Sequence, residues 1–192
     1  AYDTTSISSS SESLKQVKHG LNKDHDPLPQ INLALLFGED SGLPFYYRKL
    51  AGNISDVSTV KKLLADLKNL GLGKVKLVMD RGFYSENNVN ALYQSNLKFL
   101  IATKVNLKIV QKELDAVRDS IKTRSNYNST FQLYTHSTTI DWNYSQERPR
   151  KGDVKKDTRR MYLHLYYNSE KALEHENRFN AMLDQLESEL TT

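Results

Sequence analysis

Two aspartates sit where chemistry is easiest to build. Asp80 lies in the stretch KVKLVMDRGFYSENN, residues 74–88. Val75, Leu77, Val78 and Met79 form a short apolar run bounded by polar residues, the pattern of a buried strand. Asp80 ends the run, Arg81 and Gly82 turn the chain, and Ser85 with Glu86 can start a helix. A carboxylate is thus offered at the C-terminal edge of a buried strand, where open α/β sheets keep their reactive groups. An aspartate there can hold a divalent cation through hard oxygen ligands. It can equally be an ordinary turn residue ahead of a glycine. Asp3 stands in a second candidate strand, residues 2–7, rich in β-branched and aromatic side chains.

The elements between them decide whether the two acids meet. Residues 6–26 are rich in serine and polar residues and, with Pro27 and Pro29, read as a loop. Within it His25 can approach the sheet edge, although a surface histidine explains it as well. QINLALLF, residues 30–37, is apolar on both faces and suits a central strand. GEDSG turns the chain into LPFYYRKL, residues 43–50, whose Pro44 suits a strand end or an edge. Asp56 can cap a helix whose Val60, Leu63, Leu64, Leu67 and Leu70 share one face, with Gly71 placed to stop it. After the strand ending at Asp80, Val89, Leu92 and Tyr93 mark a short helix, and residues 97–103 another strand. Three antiparallel strands followed by βαβ crossovers predict a mixed five-stranded α/β sheet flanked by helices. In the usual arrangement the first strand pairs with the strand ending at Asp80, which brings Asp3 and Asp80 onto neighbouring strands.

Beyond residue 103 the character changes. Val110, Leu114, Val117 and Ile121 mark a helix, and FQLYTHSTTIDWNYS, residues 131–145, reads as strands. The segment RPRKGDVKKDTRR, residues 148–160, sets Arg148, Arg150, Lys151, Lys155, Lys156, Arg159 and Arg160 against Asp153 and Asp157. RMYLHLYYN, residues 160–168, alternates like a strand. Phe179, Met182, Leu183, Leu186 and Leu190 then define an amphipathic C-terminal helix with Ser169 as its expected cap.

Composition narrows the class. The 192 residues are 38% hydrophobic and 26% charged, as expected of a soluble globular protein. No apolar run approaches the ~20 residues that span a bilayer, so no membrane partner is expected. Cysteine is absent, which excludes disulfides and thiolate-bound metal and fits a reducing, cytoplasmic setting. A net charge of +4 permits a polyanionic partner without demanding one. The chain opens with Ala1 directly before a strand-like segment, which suggests a fragment of a longer protein.

Four collinear motifs carry a resemblance: YDTT at residues 2–5, DPLPQINLALL at 26–36, GLPFYYRKLAGNISD at 42–56 and VMDRGFYSENN at 78–88. They resemble the DDE transposases of bacterial insertion sequences, in the group with a β-rich insertion in the catalytic domain. The resemblance implies a ribonuclease H-like core over residues 1–104 and an insertion region over residues 105–192, made of a helix, a β-rich segment and a helix. It implies metal-dependent DNA cleavage and strand transfer with two Mg²⁺ or Mn²⁺ ions. Asp3 and Asp80 fall on the family's first two acids, with Asp3 as the bridging carboxylate. It further implies transposon-end DNA as partner and a dimer in the full-length protein. Arg81, Arg148, Arg150, Lys151, Lys155 and Lys156 are the candidate DNA contacts, with Trp142, Tyr144 and Tyr162 near them as stacking groups. A solvated loop between strands is the plain alternative for the basic run.

One departure matters. The family's third acid is a glutamate in a pattern of Tyr, Arg three residues on, and Glu four further. No tyrosine here has an arginine three residues later, and the neighbours of Glu170, Glu174 and Glu176 do not match. The expectation is an incomplete catalytic domain that stops inside or just after the insertion. The alternatives are a remnant serving only in DNA binding or interaction, and another ribonuclease H-like nuclease.

Overall fold

The computed structural model describes residues 1–20, 27–148 and 150–190. The chain divides into two units, Ala1–Lys104 with Ser145–Lys155, and Val105–Tyr144 with Lys156–Thr192.

The first unit is built on β1 (Tyr2–Ser8), β2 (Gln30–Phe37), β3 (Pro44–Ala51), α1 (Asp56–Asn69), β4 (Lys76–Met79), α2 (Glu86–Gln94) and β5 (Lys98–Ile101). The sheet order is β3-β2-β1-β4-β5. β1 runs antiparallel to β2 from Tyr2↔Leu36 to Ser8↔Gln30, and β2 antiparallel to β3. β1 with β4, and β4 with β5, are parallel. This mixed sheet is the ribonuclease H-like arrangement expected above, with the Pro44 strand at an edge.

Chain direction explains where the helices go. β3, β1, β4 and β5 all point the same way, so β3-α1-β4 and β4-α2-β5 are both parallel crossovers. Both step in the same direction across the sheet, and right-handed crossovers taken in one direction lay their helices on one face. The core on that face joins Tyr2, Ala34, Leu36, Leu77 and Met79 of the strands to Val60, Leu63, Leu64 and Leu67 of α1 and Leu92 of α2. Each fully buried Leu or Val contributes about 1.5–3 kcal/mol relative to exposure. On the other face Ile7, Phe45, Tyr47, Val78 and Leu100 are exposed.

Two buried amides prepare the entry to α1. The Gln30 side-chain N–H donates to the Gly52 carbonyl at 3.1 Å, and Asn32 donates to the Gly52 and Ile54 carbonyls at 3.2 and 3.0 Å. They fix the corner from which the helix starts, because a buried amide without partners would cost more than the bond returns. Only glycine fits that corner, since a Cβ on Gly52 would lie 2.1 Å from the Gln30 carbonyl oxygen.

The second unit carries α3 (Lys108–Val117), the short β6 (Tyr127–Asn128), the outer parts of the long strands β7 (Leu133–Arg148) and β8 (Asp153–Tyr167), and α4 (Ser169–Leu190). The second sheet has the order β6-β7-β8. Val110, Ile121 and Leu165 form its buried centre. Three local expectations shift. The third helix ends at Val117, so Ile121 joins the core from the turn beyond it. β8 begins at Asp153, so most of the basic run is strand and only its start is a turn. The backbone N–H of Lys171 is capped by the Asn168 side chain at 2.9 Å, one residue before the expected Ser169. Among the described residues no helix is long and apolar enough to cross a membrane.

Candidate active site

The pairing Tyr2↔Met79 joins β1 to β4 in parallel, and the next residue on each strand is one of the two aspartates. Tyr2 and Met79 point into the core, 3% and 4% exposed, and Asp3 and Asp80 are exposed. The strand alternation that buries the first pair turns the second pair outward. The two acids expected to meet therefore stand at neighbouring strand positions.

Each carboxylate is held by its own backbone. Asp3 Oδ1 accepts from the Thr4 N–H at 2.7 Å, and Asp80 Oδ1 accepts from the Gly82 N–H at 2.8 Å. Asp80 thereby caps the 3₁₀ turn Arg81–Phe83. Phe83 anchors that turn from below: it is fully buried, and its ring centroid lies 4.9 Å from that of Tyr2. Ser85 then caps α2 by accepting from the Asn88 N–H at 3.1 Å. The Asn88 amide donates to the carbonyls of Val57 and Phe83 at 2.7 and 2.8 Å, tying the start of α2 to α1 and to the turn. Tyr2 is locked from the other side, its hydroxyl donating to Thr59 Oγ1 at 3.0 Å, and burial raises its pKa.

A third carboxylate stands at the same turn. Asp56 is a helix cap by sequence, but Ser55 holds the cap position and Asp56 opens the helix proper. The Thr4 hydroxyl donates to Asp56 Oδ1. A Cβ on Gly82 would lie 3.0 Å from Asp56 Oδ2 and 3.1 Å from Asp80 Oδ1, so both carboxylates crowd that glycine. Sequence spacing carries no signal for this, because the contact joins residues far apart in the chain. Among the described residues no group of three or more His, Cys, Asp or Glu side chains is arranged to hold a metal ion. Asp3 and Asp80 supply hard oxygen donors at one edge of the sheet. That donor set fits Mg²⁺ or Mn²⁺, which keep most of their waters and take one or two carboxylates.

The basic candidates fall into separate groups. Arg81 is exposed, directly after Asp80. Arg148 grips Asp153 in a two-pronged ion pair, Nε to Oδ1 at 2.8 Å and a terminal nitrogen to Oδ2 at 2.5 Å, closing the turn between β7 and β8. Its charge is therefore partly spent within the chain. Arg150, Lys151 and Lys155 are exposed on the same arm. The Asn90 side chain donates to Ser145 Oγ at 3.1 Å at the arm's base. In the second unit Lys156 is exposed, and Arg159 pairs with Asp157 at 3.2 Å. The expected aromatic grip is corrected here. Trp142 and Tyr144 are 6% and 4% exposed and belong to the interior, whereas Tyr162 is 57% exposed. His25 lies outside the described residues.

No curated protein matches the chain. The family model described as transposase DDE domain matches residues 1–176. Members of that family are nucleases and transposases that act on DNA and generally use divalent metal ions. With the match covering most of its length, the chain belongs to the transposase DDE domain family.

Proposed function

We propose that this chain is part of a transposase catalytic domain that cleaves DNA and transfers strands, with Asp3 and Asp80 as the ligands of its divalent ions. The observation that carries the reading is the Tyr2↔Met79 register, which sets the two aspartates side by side at the strand ends. Asp3 and Asp80 would be the ligands that hold the ions, each steadied through one oxygen by a main-chain N–H. Divalent ions held there would supply activation of a water or a DNA 3′-hydroxyl and stabilisation of the leaving oxygen. Arg81 is positioned by the same turn as Asp80 and suits a phosphate next to the scissile bond. Arg150, Lys151, Lys155 and Lys156, with a smaller share from Arg148, hold flanking DNA through its phosphates. In this reading residues 1–104 are the core and residues 105–192 the insertion region, and the full-length protein acts as a dimer on transposon ends in the cytoplasm.

Among the described residues this reading assigns no third acid. A second reading, a DNA-binding remnant without catalysis, draws on the lack of a three-ligand cluster among the described residues. Calorimetric titration of Mn²⁺ into the chain and its Asp3→Ala and Asp80→Ala variants tests the metal site. Binding that both substitutions abolish supports it, and binding unchanged in both refutes it. A DNA-nicking assay with Mn²⁺ then separates the readings: cleavage supports the enzyme, and metal binding without cleavage supports the remnant.

A further inference from the structure

The strand ladder alone does little to fix how Asp3 and Asp80 stand to one another. Among the described residues β1 and β4 share the one register pair Tyr2↔Met79, and both aspartates lie just past it. Neighbouring carboxylates also repel. The element that reaches both is the first turn of α1.

On the β1 side that turn grips the residue before Asp3 and the residue after it. The Thr4 hydroxyl donates to Asp56 Oδ1. The Tyr2 hydroxyl donates to Thr59 Oγ1 at 3.0 Å, and Thr59 Oγ1 donates in turn to the Asp56 carbonyl at 2.7 Å. Thr4 is 5% exposed, so its bond to a carboxylate is shielded from water. The main-chain N–H of the same Thr4 holds Asp3 Oδ1, so fixing Thr4 fixes Asp3.

On the β4 side the contact is with the turn that Asp80 caps. The Gly82 N–H holds Asp80 Oδ1, and Asp56 Oδ2 lies against Gly82, where an added Cβ would come within 3.0 Å of it. The Val57 carbonyl accepts from the Asn88 amide, which also binds the Phe83 carbonyl, so the backbone of α1 is tied to the end of that turn.

An acid in the first turn of a helix is favoured by the helix dipole whatever its side chain touches. Asp56 does more than answer the dipole. It is half-buried, with one oxygen on a buried hydroxyl of β1 and the other against the turn after β4.

We propose that Asp56 is a positioning residue for the divalent-ion site: its carboxylate spans the seam between β1 and the Asp80 turn and sets the spacing of Asp3 and Asp80. It acts through Thr4 and Gly82 and is not itself a ligand. This role rests on the metal-site reading above and adds to it the residue that preorganises the pair.

Calorimetric titration of Mn²⁺ tests the role. Asp56→Ala is expected to weaken binding roughly 10–100-fold, the usual effect of removing a group that orients a metal ligand. Asp56→Asn keeps an oxygen for the Thr4 hydroxyl and is expected to bind more tightly than Asp56→Ala. Thr4→Val removes the hydroxyl and no charge, and it is expected to weaken binding as well. The double variant Thr4→Val/Asp56→Ala should bind as Asp56→Ala does, because the two losses are one interaction. Leu67→Ala empties a buried position farther along α1. It should lower the urea midpoint and leave the affinity of the folded protein unchanged, which separates positioning from stability. In metal-free protein, amide exchange at Thr4 and Gly82 should speed up in Asp56→Ala more than elsewhere in the sheet.

Wild-type affinity in Asp56→Ala, with binding still abolished by Asp3→Ala, overturns the proposal and leaves the metal site standing. Exchange at the two amides no faster than in the wild type overturns it too. Asparagine as weak as alanine, or losses that multiply in the double variant, overturns the route through Thr4. No binding by the wild type, or binding unchanged in Asp3→Ala and Asp80→Ala, overturns the metal-site reading, and the role of Asp56 falls with it.

Discussion

Asp80 has two roles in the reading above, and one pair of substitutions separates them. Its Oδ1 caps the 3₁₀ turn through the Gly82 N–H at 2.8 Å, and its charge serves the metal. Asparagine keeps an oxygen at the capping position and loses the charge. Alanine loses both. Without metal, Asp80→Asn is therefore expected to unfold at the wild-type temperature. Asp80→Ala should lose about 1 kcal/mol, the usual worth of such a cap. For a chain of this size that corresponds to roughly 2–4 °C. With free Mn²⁺ at a hundred times its dissociation constant, wild-type protein gains about 2.7 kcal/mol by mass action. The melting temperature then rises by roughly 5–11 °C. Neither variant should show that rise. Scanning calorimetry of the three proteins with and without Mn²⁺ reads all of these quantities. A wild-type response in Asp80→Asn would remove Asp80 from the metal site. An Asn variant as unstable as the Ala variant without metal would refute the division of roles, because the cap would then depend on the charge.

Other expectations follow from the same geometry. Phe83→Ala empties the fully buried position beneath the turn and should cost about 3–5 kcal/mol in urea unfolding. Tyr46 has its pKa pushed up to about 12, first by burial and then by its hydrogen bond to Asp66 at 2.5 Å. The folded state thus holds that proton more tightly than the unfolded chain. The resulting stability is complete below pH 10 and is lost as pH rises through about 12. Tyr46→Phe should flatten the alkaline fall in stability between those values, as measured by chemical denaturation at stepped pH. Replacing Arg150, Lys151 and Lys155 with glutamine should weaken DNA binding at all sequences alike. For every one of these side chains that neutralises a phosphate, its replacement should lower the salt slope of the affinity by roughly 0.9.

What could be read from the sequence was what local periodicity encodes. The run 30–37 has apolar residues on both faces, unbroken from Leu33 to Phe37, and it forms a central strand over those residues. The strand before Asp80 and the Ser85 cap were legible because strand end, turn and cap follow one another within a few residues. Asp56 was legible as a residue at the start of α1, but not its bond to Thr4, a partner that exists only once α1 lies against β1. The start of β8 escaped for a different reason. Val154 and Thr158 suit a strand, but Asp153, Lys155, Lys156 and Asp157 are types depleted in strands, and the segment is extended as a neighbour of β7 in the second sheet. Trp142 and Tyr144 looked like stacking groups by type. Alternation along β7 buries them and exposes Asp141 and Asn143 instead. At the last helix, Asn168 and Ser169 are both good caps, and one residue of difference lies below what pattern alone resolves.

The single register pair between β1 and β4 has a kinetic consequence. The pairs of β1 with β2 and of β2 with β3, and the β4-α2-β5 crossover, all join residues nearer in sequence than the β1–β4 pair does, so both pieces can form from contacts of shorter range. The seam that unites them joins Tyr2 to Met79, across most of the first unit, and therefore closes late in folding. Asp3 and Asp80 lie on opposite sides of that seam. Until it closes, the chain has two separated carboxylates and no chelate. Backbone amides flanking the seam should exchange with solvent through openings smaller than global unfolding. Metal captured across it would act as a clasp, slowing that exchange at the seam more than anywhere else in the sheet.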